Sequence, residues 1–80
     1  MPEKAIEVLR KSVTAESGKQ FNFTDQSGRF WCGTCRFVEY SPDDTYKFGG
    51  KITTGPAEWI GLGVEVIGDS EGNTMTMVIV

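Results

Sequence analysis

The sequence predicts an α+β fold: one N-terminal helix packed on a five- or six-stranded, mostly antiparallel sheet that curls into a meander or small open barrel. Three observations carry this. Ala5, Ile6, Leu9 and Val13 recur at helical spacing, side chains from Phe21 onward alternate two by two, and ten glycines and three prolines punctuate the chain. Eighty residues make one domain, spanning 1–80. A chain of this length buries only about 60–65% of its unfolded surface. Its core then supplies roughly 3–5 kcal/mol, so oligomerisation or a covalent staple is an expected supplement.

The helix is expected from Glu3 to about Val13. Pro2 stands where a first-turn proline is tolerated, Glu3 complements the positive helix start, and Glu7 and Lys11 pair at i,i+4 away from the apolar face. Gly18 is the expected stop. About three turns are unstable alone, so this helix must dock on the sheet.

Phe21 and Phe23 alternate with polar neighbours, and Asp25-Gln26-Ser27-Gly28 is a turn signal. Arg29 to Tyr40 is aromatic and β-branched around Gly33-Thr34. Ser41-Pro42-Asp43-Asp44 is a turn with proline at its favoured second position. Tyr46 and Phe48 alternate, Gly49-Gly50 reads as a two-residue hairpin loop, Lys51 to Thr54 returns, and Gly55-Pro56 interrupts. Ile60, Leu62, Val64 and Val66 alternate with Trp59, Gly61, Gly63, Glu65 and Ile67. After the turn Gly68 to Asn73, the run Thr74 to Val80 alternates again, with Met75, Met77 and Ile79 on one face. Short strands joined by tight turns point to a curled meander or barrel.

The net charge of −3 is uneven: residues 1–36 carry six Lys/Arg against four Asp/Glu, and residues 37–80 two against seven. Nucleic-acid binding needs a basic footprint that releases counterions from phosphates; on these totals it is disfavoured. No run reaches the roughly 18 apolar residues of a membrane span, so no membrane partner is expected. The segment Met1 to Glu7 has charges where a secretory signal has an apolar core, which makes the cytoplasm the expected compartment.

Trp31-Cys32-Gly33-Thr34-Cys35-Arg36 is the motif with the most chemical content. Over these six residues it resembles the active-site segment of thioredoxin-like oxidoreductases, W-C-G-x-C followed by a basic residue. The resemblance implies a reactive thiolate at Cys32, held at a helix N-terminus. The next residues, Phe37-Val38-Glu39-Tyr40-Ser41-Pro42, are strand-like and then broken by proline, and the family's βαβ unit is missing. Four other readings of Cys32 and Cys35 stay open. A type II′ turn at Gly33-Thr34 would close a hairpin with the cysteines facing each other, Phe30 opposite Phe37 and Trp31 opposite Arg36. Two such pairs from two chains could hold a zinc ion, because one chain offers two cysteines and no histidine. A continuous strand from Arg29 to Tyr40 would instead place the thiols on opposite faces; partly buried structural thiols complete the set.

Histidine is absent, which removes Ser–His and Cys–His nucleophile pairs within one chain. Asp43-Asp44 falls in a solvated turn. Asp69 to Asn73 lacks the frame of a calcium loop, and Gly61-Leu62-Gly63 lacks the third glycine and helix of a phosphate loop. Enzymatic function is therefore not expected. Trp59, Gly61, Gly63 and Glu65 would share one strand face, leaving a shallow groove with Trp59 as anchor and Glu65 as polar rim. Thr74 to Val80 is uncharged and proline-free. It must be a central strand or be covered by a second copy, with Thr74, Met75, Met77, Ile79 and Val80 as association residues. The expected function is a small non-catalytic binding or assembly module, self-associating through strands and presenting a groove to a protein or small molecule. A thiol redox protein using Cys32 and Cys35, or a zinc-linked dimer, is the alternative.

Overall fold

The computed structural model describes residues 5–43, 45–69 and 72–80. It contains seven strands: β1 (Ala5–Leu9), β2 (Thr14–Ala15), β3 (Gln20–Thr24), β4 (Phe30–Tyr40), β5 (Thr45–Thr54), β6 (Gly63–Asp69) and β7 (Thr74–Ile79). They form one antiparallel sheet in the order β1-β7-β6-β5-β4-β3-β2. Among the described residues the only helical pieces are two 3₁₀ turns, Arg10–Ser12 and Ala57–Trp59. The α+β expectation is thereby overturned: this is an all-β fold, and the helix over 3–13 is a strand followed by a turn. Its first residues, Glu3 and Lys4, lie outside the described ones.

The physical reason lies in Ile6 and Val8. These β-branched residues flank Glu7, so the segment also carries a period of two, and a run this short fits either pattern. Tertiary pairing decides. Ile6 stands opposite Met77 and Val8 opposite Met75, so both strands turn an apolar side inward, while Glu7 and Thr76 face out together. A helix would have satisfied its own backbone but left the uncharged edge of β7 open.

The sheet closes on itself. Val8 bridges Asp25 at the end of β3, and the Gln26 amide donates to the Glu7 carbonyl at 3.1 Å. Further on, Thr14 faces Asn22 and Ala15 faces Phe21. Six steps from Val8 to Thr14 thus match three from Asp25 to Asn22, and the surplus residues are taken up around the Arg10–Ser12 turn. Ser12 staples this break: its hydroxyl donates to the Leu9 carbonyl at 2.6 Å and accepts from the Thr24 amide at 2.8 Å. β1 and β2 are therefore one broken strand, and the chain is an up-and-down barrel with six strand positions.

Two register shifts bend β4 against β5. Cys35 faces Gly50 and Phe37 faces Gly49, so Arg36 is the extra residue; Cys32 faces Thr54 and Gly33 faces Ile52, so Thr53 is the other. Each shift reverses which parity points inward. Before Arg36 the inward residues are Trp31, Gly33 and Cys35; after it Val38 packs on the core and Phe37 lies over Gly49 outside. Gly49-Gly50 is accordingly no hairpin loop but the middle of a ten-residue strand. Glycine is required there because a Cβ on Gly50 would overlap the Thr34 carbonyl oxygen.

The interior is filled by an aromatic ladder. Trp59 meets Trp31 edge-on at 5.5 Å, Trp31 stacks on Phe23 at 5.9 Å, Phe23 on Phe21 at 5.9 Å, and Phe21 tilts against Phe48 at 5.2 Å. Tyr46 and then Tyr40 continue it at 5.8 and 4.9 Å. Seven of the nine aromatic residues are used this way. Such pairs add about 0.5–1.5 kcal/mol each beyond the area they bury.

Candidate functional site

The four groove residues do not share a strand face. Trp59 closes the Ala57–Trp59 turn and is 1% exposed, as a rung of the ladder. Gly61 occupies a positive-φ turn at 86°, and only Gly63 and Glu65 lie on β6. Glu65 pairs with Lys47 at 3.2 Å. The alternation from Ile60 misled because Gly61 breaks the strand before it begins: its amide donates back to Ile52 at 2.8 Å. A surface anchor at Trp59 is thus replaced by a core residue.

β7 takes the central of its two expected places. β1 and β6 pair with its two edges, Met75 and Met77 are in the core, and Ile79 and Val80 reach the barrel end half-covered or exposed. The edge that a second copy was expected to cover is covered by the chain's own first strand. Asp43 accepts the Thr45 amide at 3.1 Å in its turn, while Asp44, Ser70 and Glu71 lie outside the described residues.

β4 runs unbroken through Gly33-Thr34, so no hairpin joins the cysteines and Phe30 does not oppose Phe37. Cys35 points inward at 4% exposure and Cys32 points outward beside Asn22 and Thr54. Burial pushes the Cys35 thiol above its usual range. A motif thiolate at a helix start has no helix here, and a zinc site shared between chains would need both thiols of each chain on one surface. Native alkylation with iodoacetamide is expected to modify Cys32 alone, and Cys35 only after unfolding. An intramolecular disulfide formed by the native protein would contradict this geometry.

At the end where β1 starts, a cleft of about 490 Å³ lies between β1, the Asp25–Arg29 turn and the Pro56–Trp59 segment. Its central group is Asp25, buried and shared among four donors. The Ser27 amide at 2.9 Å, the Ser27 hydroxyl at 2.6 Å and the Arg29 amide at 3.0 Å reach Oδ1; the Trp31 indole reaches Oδ2 at 2.8 Å. Burial by itself raises this carboxyl's pKa, but the bonds from Ser27, Trp31 and Arg29 outweigh it and hold it below the usual value. Both oxygens are engaged, so Asp25 builds the turn and fixes the ladder's end.

The outer face of β2, β3, β4 and the second half of β5 is different. Cross-strand rows there read Thr24–Phe30, then Thr14–Asn22–Cys32–Thr54, then Gln20–Thr34–Lys51. Arg36 stands exposed at the register shift beyond them, and Lys19 lines a depression of about 480 Å³ with Thr14, Glu16, Gln20 and Asn22. Phe30 is 56% exposed. Phe37, the other ring outside the ladder, covers Gly49 and carries the Lys47 ammonium at 5.7 Å. Among the described residues Phe30 touches neither a ring nor a cation. Sequence reasoning named Phe30 and Arg36 only as members of a hairpin at the cysteines and gave Lys51 no role. The available signal was that Trp31, if inward, obliges Phe30 to point out.

No protein-family model matches the chain, and neither a curated protein nor a solved structure matches it. What the fold defines is a closed antiparallel barrel with a filled interior.

Proposed function

We propose that the protein is a non-catalytic binding module whose working surface is the outer face of β2, β3, β4 and the second half of β5. The observation that carries this is Phe30: a ring 56% exposed that leans on no other ring, whereas Tyr40, 72% exposed, rests on Tyr46 at 4.9 Å and Phe37 covers a glycine. An exposed aromatic rimmed by amides, hydroxyls and cations is the composition of a recognition surface. The ladder supports the same reading from inside, because it leaves no lumen for a ligand of the kind larger barrels hold.

The test is a ¹⁵N-resolved NMR titration with four probes: dodecathymidylate, maltoheptaose, a proline-rich peptide and a glutamate-rich peptide. At least one is expected to shift the amides of residues 30–36 and 51–54. Shifts confined to residues 25–29 and 56–59, or none with any probe, would overturn the reading.

A further inference from the structure

We infer that the ligand of this face is a single-stranded nucleic acid, stacked on Phe30 and held along its backbone by Lys51, Arg36 and Lys19. This rests on the binding-module reading above and names its ligand class. Net charge speaks against a polyanion, but placement alters the balance. On the rows from Phe30 to Arg36 the face carries Lys19, Arg36 and Lys51 against one described acid, Glu16; exposed Glu39 follows on the same side of β4 beyond the register shift. Of the other described acids, Glu65 is tied to Lys47, Asp43 lies in the turn after β4, Asp69 ends β6 and Glu7 is on β1, while Asp25 and Glu58 line the cleft at the barrel end next to Arg29 and Trp31, Asp25 buried beneath its four donors.

The one acid on these rows is weakly held. Lys19 and Glu16 meet at 3.3 Å with side chains 74% and 62% exposed. Such a pair is worth about 0–1 kcal/mol and is screened by salt, so a phosphate can displace the carboxylate. Arg36 and Lys51 make no ion pair with the described residues.

Geometry sets the strandedness. From Phe30 to Thr34, opposite Lys51, is four residues of β4, or about 13 Å. Along this track lie Asn22, Thr54, Gln20 and Thr34, neutral donors and acceptors suited to base edges and sugars. A ring lying on the outside of a sheet offers its face to a base splayed out of a duplex, the stacking that single strands make. Three cations are too few for the footprint of a duplex reader, whereas a short single strand needs only a charged track and a stacking platform. A neutral oligosaccharide would use Phe30 and the amides but leave the cations idle.

The experiment is fluorescence anisotropy of fluorescein-labelled dodecathymidylate titrated with the intact protein across a salt series. Three phosphate contacts predict a slope of log K against log salt of about −2, at roughly −0.7 per contact. Phe30→Ala is expected to weaken binding roughly 5- to 100-fold, the effect of removing one base–aromatic stack. Lys51→Gln and Arg36→Gln should each make the slope shallower by about 0.7. All three positions are exposed, and the Trp31 indole resonance, set by its bond to Asp25, reports that each variant is folded. No binding at low salt, a folded Phe30→Ala variant that binds like the parent, or equal affinity for the matching duplex would overturn the inference. If maltoheptaose or a peptide shifts the Phe30 amide and dodecathymidylate does not, the ligand class fails and the binding face stands. If no probe does, both fail.

Discussion

Gly50→Ala is expected to leave the protein largely unfolded at 25 °C. Gly50 faces Cys35 across the β4–β5 ladder, beside the register shift at Arg36. A Cβ placed there would overlap the Thr34 carbonyl oxygen and crowd the Cys35 Cα at 3.2 Å. Both are backbone atoms inside a paired strand, so no side chain can rotate to make room. Overpacking costs typically 1–3 kcal/mol even where side chains can adjust; about 4 kcal/mol is the expectation where they cannot. That is comparable with the roughly 3–5 kcal/mol a core of this size supplies. Gly63→Ala is the contrast, since its Cβ would meet only Val80 Cγ2 at 3.6 Å; within about 1 kcal/mol of the parent is expected, because alanine loses less backbone freedom on folding. Thermal melts by circular dichroism decide this. A Gly50→Ala melt within a few degrees of the parent would show that the two glycines form a loop after all.

Asp25→Asn is expected to cost about 2–4 kcal/mol at neutral pH and to reduce the acid sensitivity of the fold. An asparagine keeps one acceptor but presents an NH₂ group to donors that already point inward, so at least one of the Ser27, Arg29 and Trp31 bonds is lost and a buried donor is left alone. Because the folded-state pKa of Asp25 lies below its ordinary value, the unfolded chain binds the proton more readily. The carboxylate's contribution is therefore complete above about pH 4, the ordinary aspartate range, and disappears as pH falls through the lower folded value. Urea midpoints of the parent should decline across that window, and those of Asp25→Asn should decline less, Asp43 keeping its own contribution. Equal acid slopes in the two proteins would mean that Asp25 does not carry the effect.

Much of the barrel is legible in the residues. Phe21 and Phe23, the Asp25–Gly28 turn, the long run to Tyr40 and the hairpin into Thr74–Val80 all appear where their alternation and turn chemistry place them. The curl of the sheet was expected from short strands and tight turns, but β4 and β5 run eleven and ten residues and bend at their register shifts. Residues 5–13 were illegible because Ile6-Glu7-Val8-Leu9 fits both periods, and the partner that decides, Met75 and Met77, is at the far end of the chain. Gly49-Gly50 was illegible for a related reason. A glycine pair marks either a turn or a close approach, and only the neighbouring strand distinguishes them.

The candidate site was the least legible part. Trp59 looked like a surface anchor because it heads an alternating run, yet Gly61 breaks that run and folds the indole inward against Trp31. Phe30 and Lys51 are 21 residues apart, and the charge total averaged their neighbourhood with acids on other strands. The residues alone determined that this chain is chiefly sheet, because a period of two is a local property of each segment. Closure of the barrel, the inward turn of Trp59 and the placing of Lys51 on the same sheet face as Phe30 were decided only by tertiary pairing, because each depends on which distant strand lies alongside and in what register.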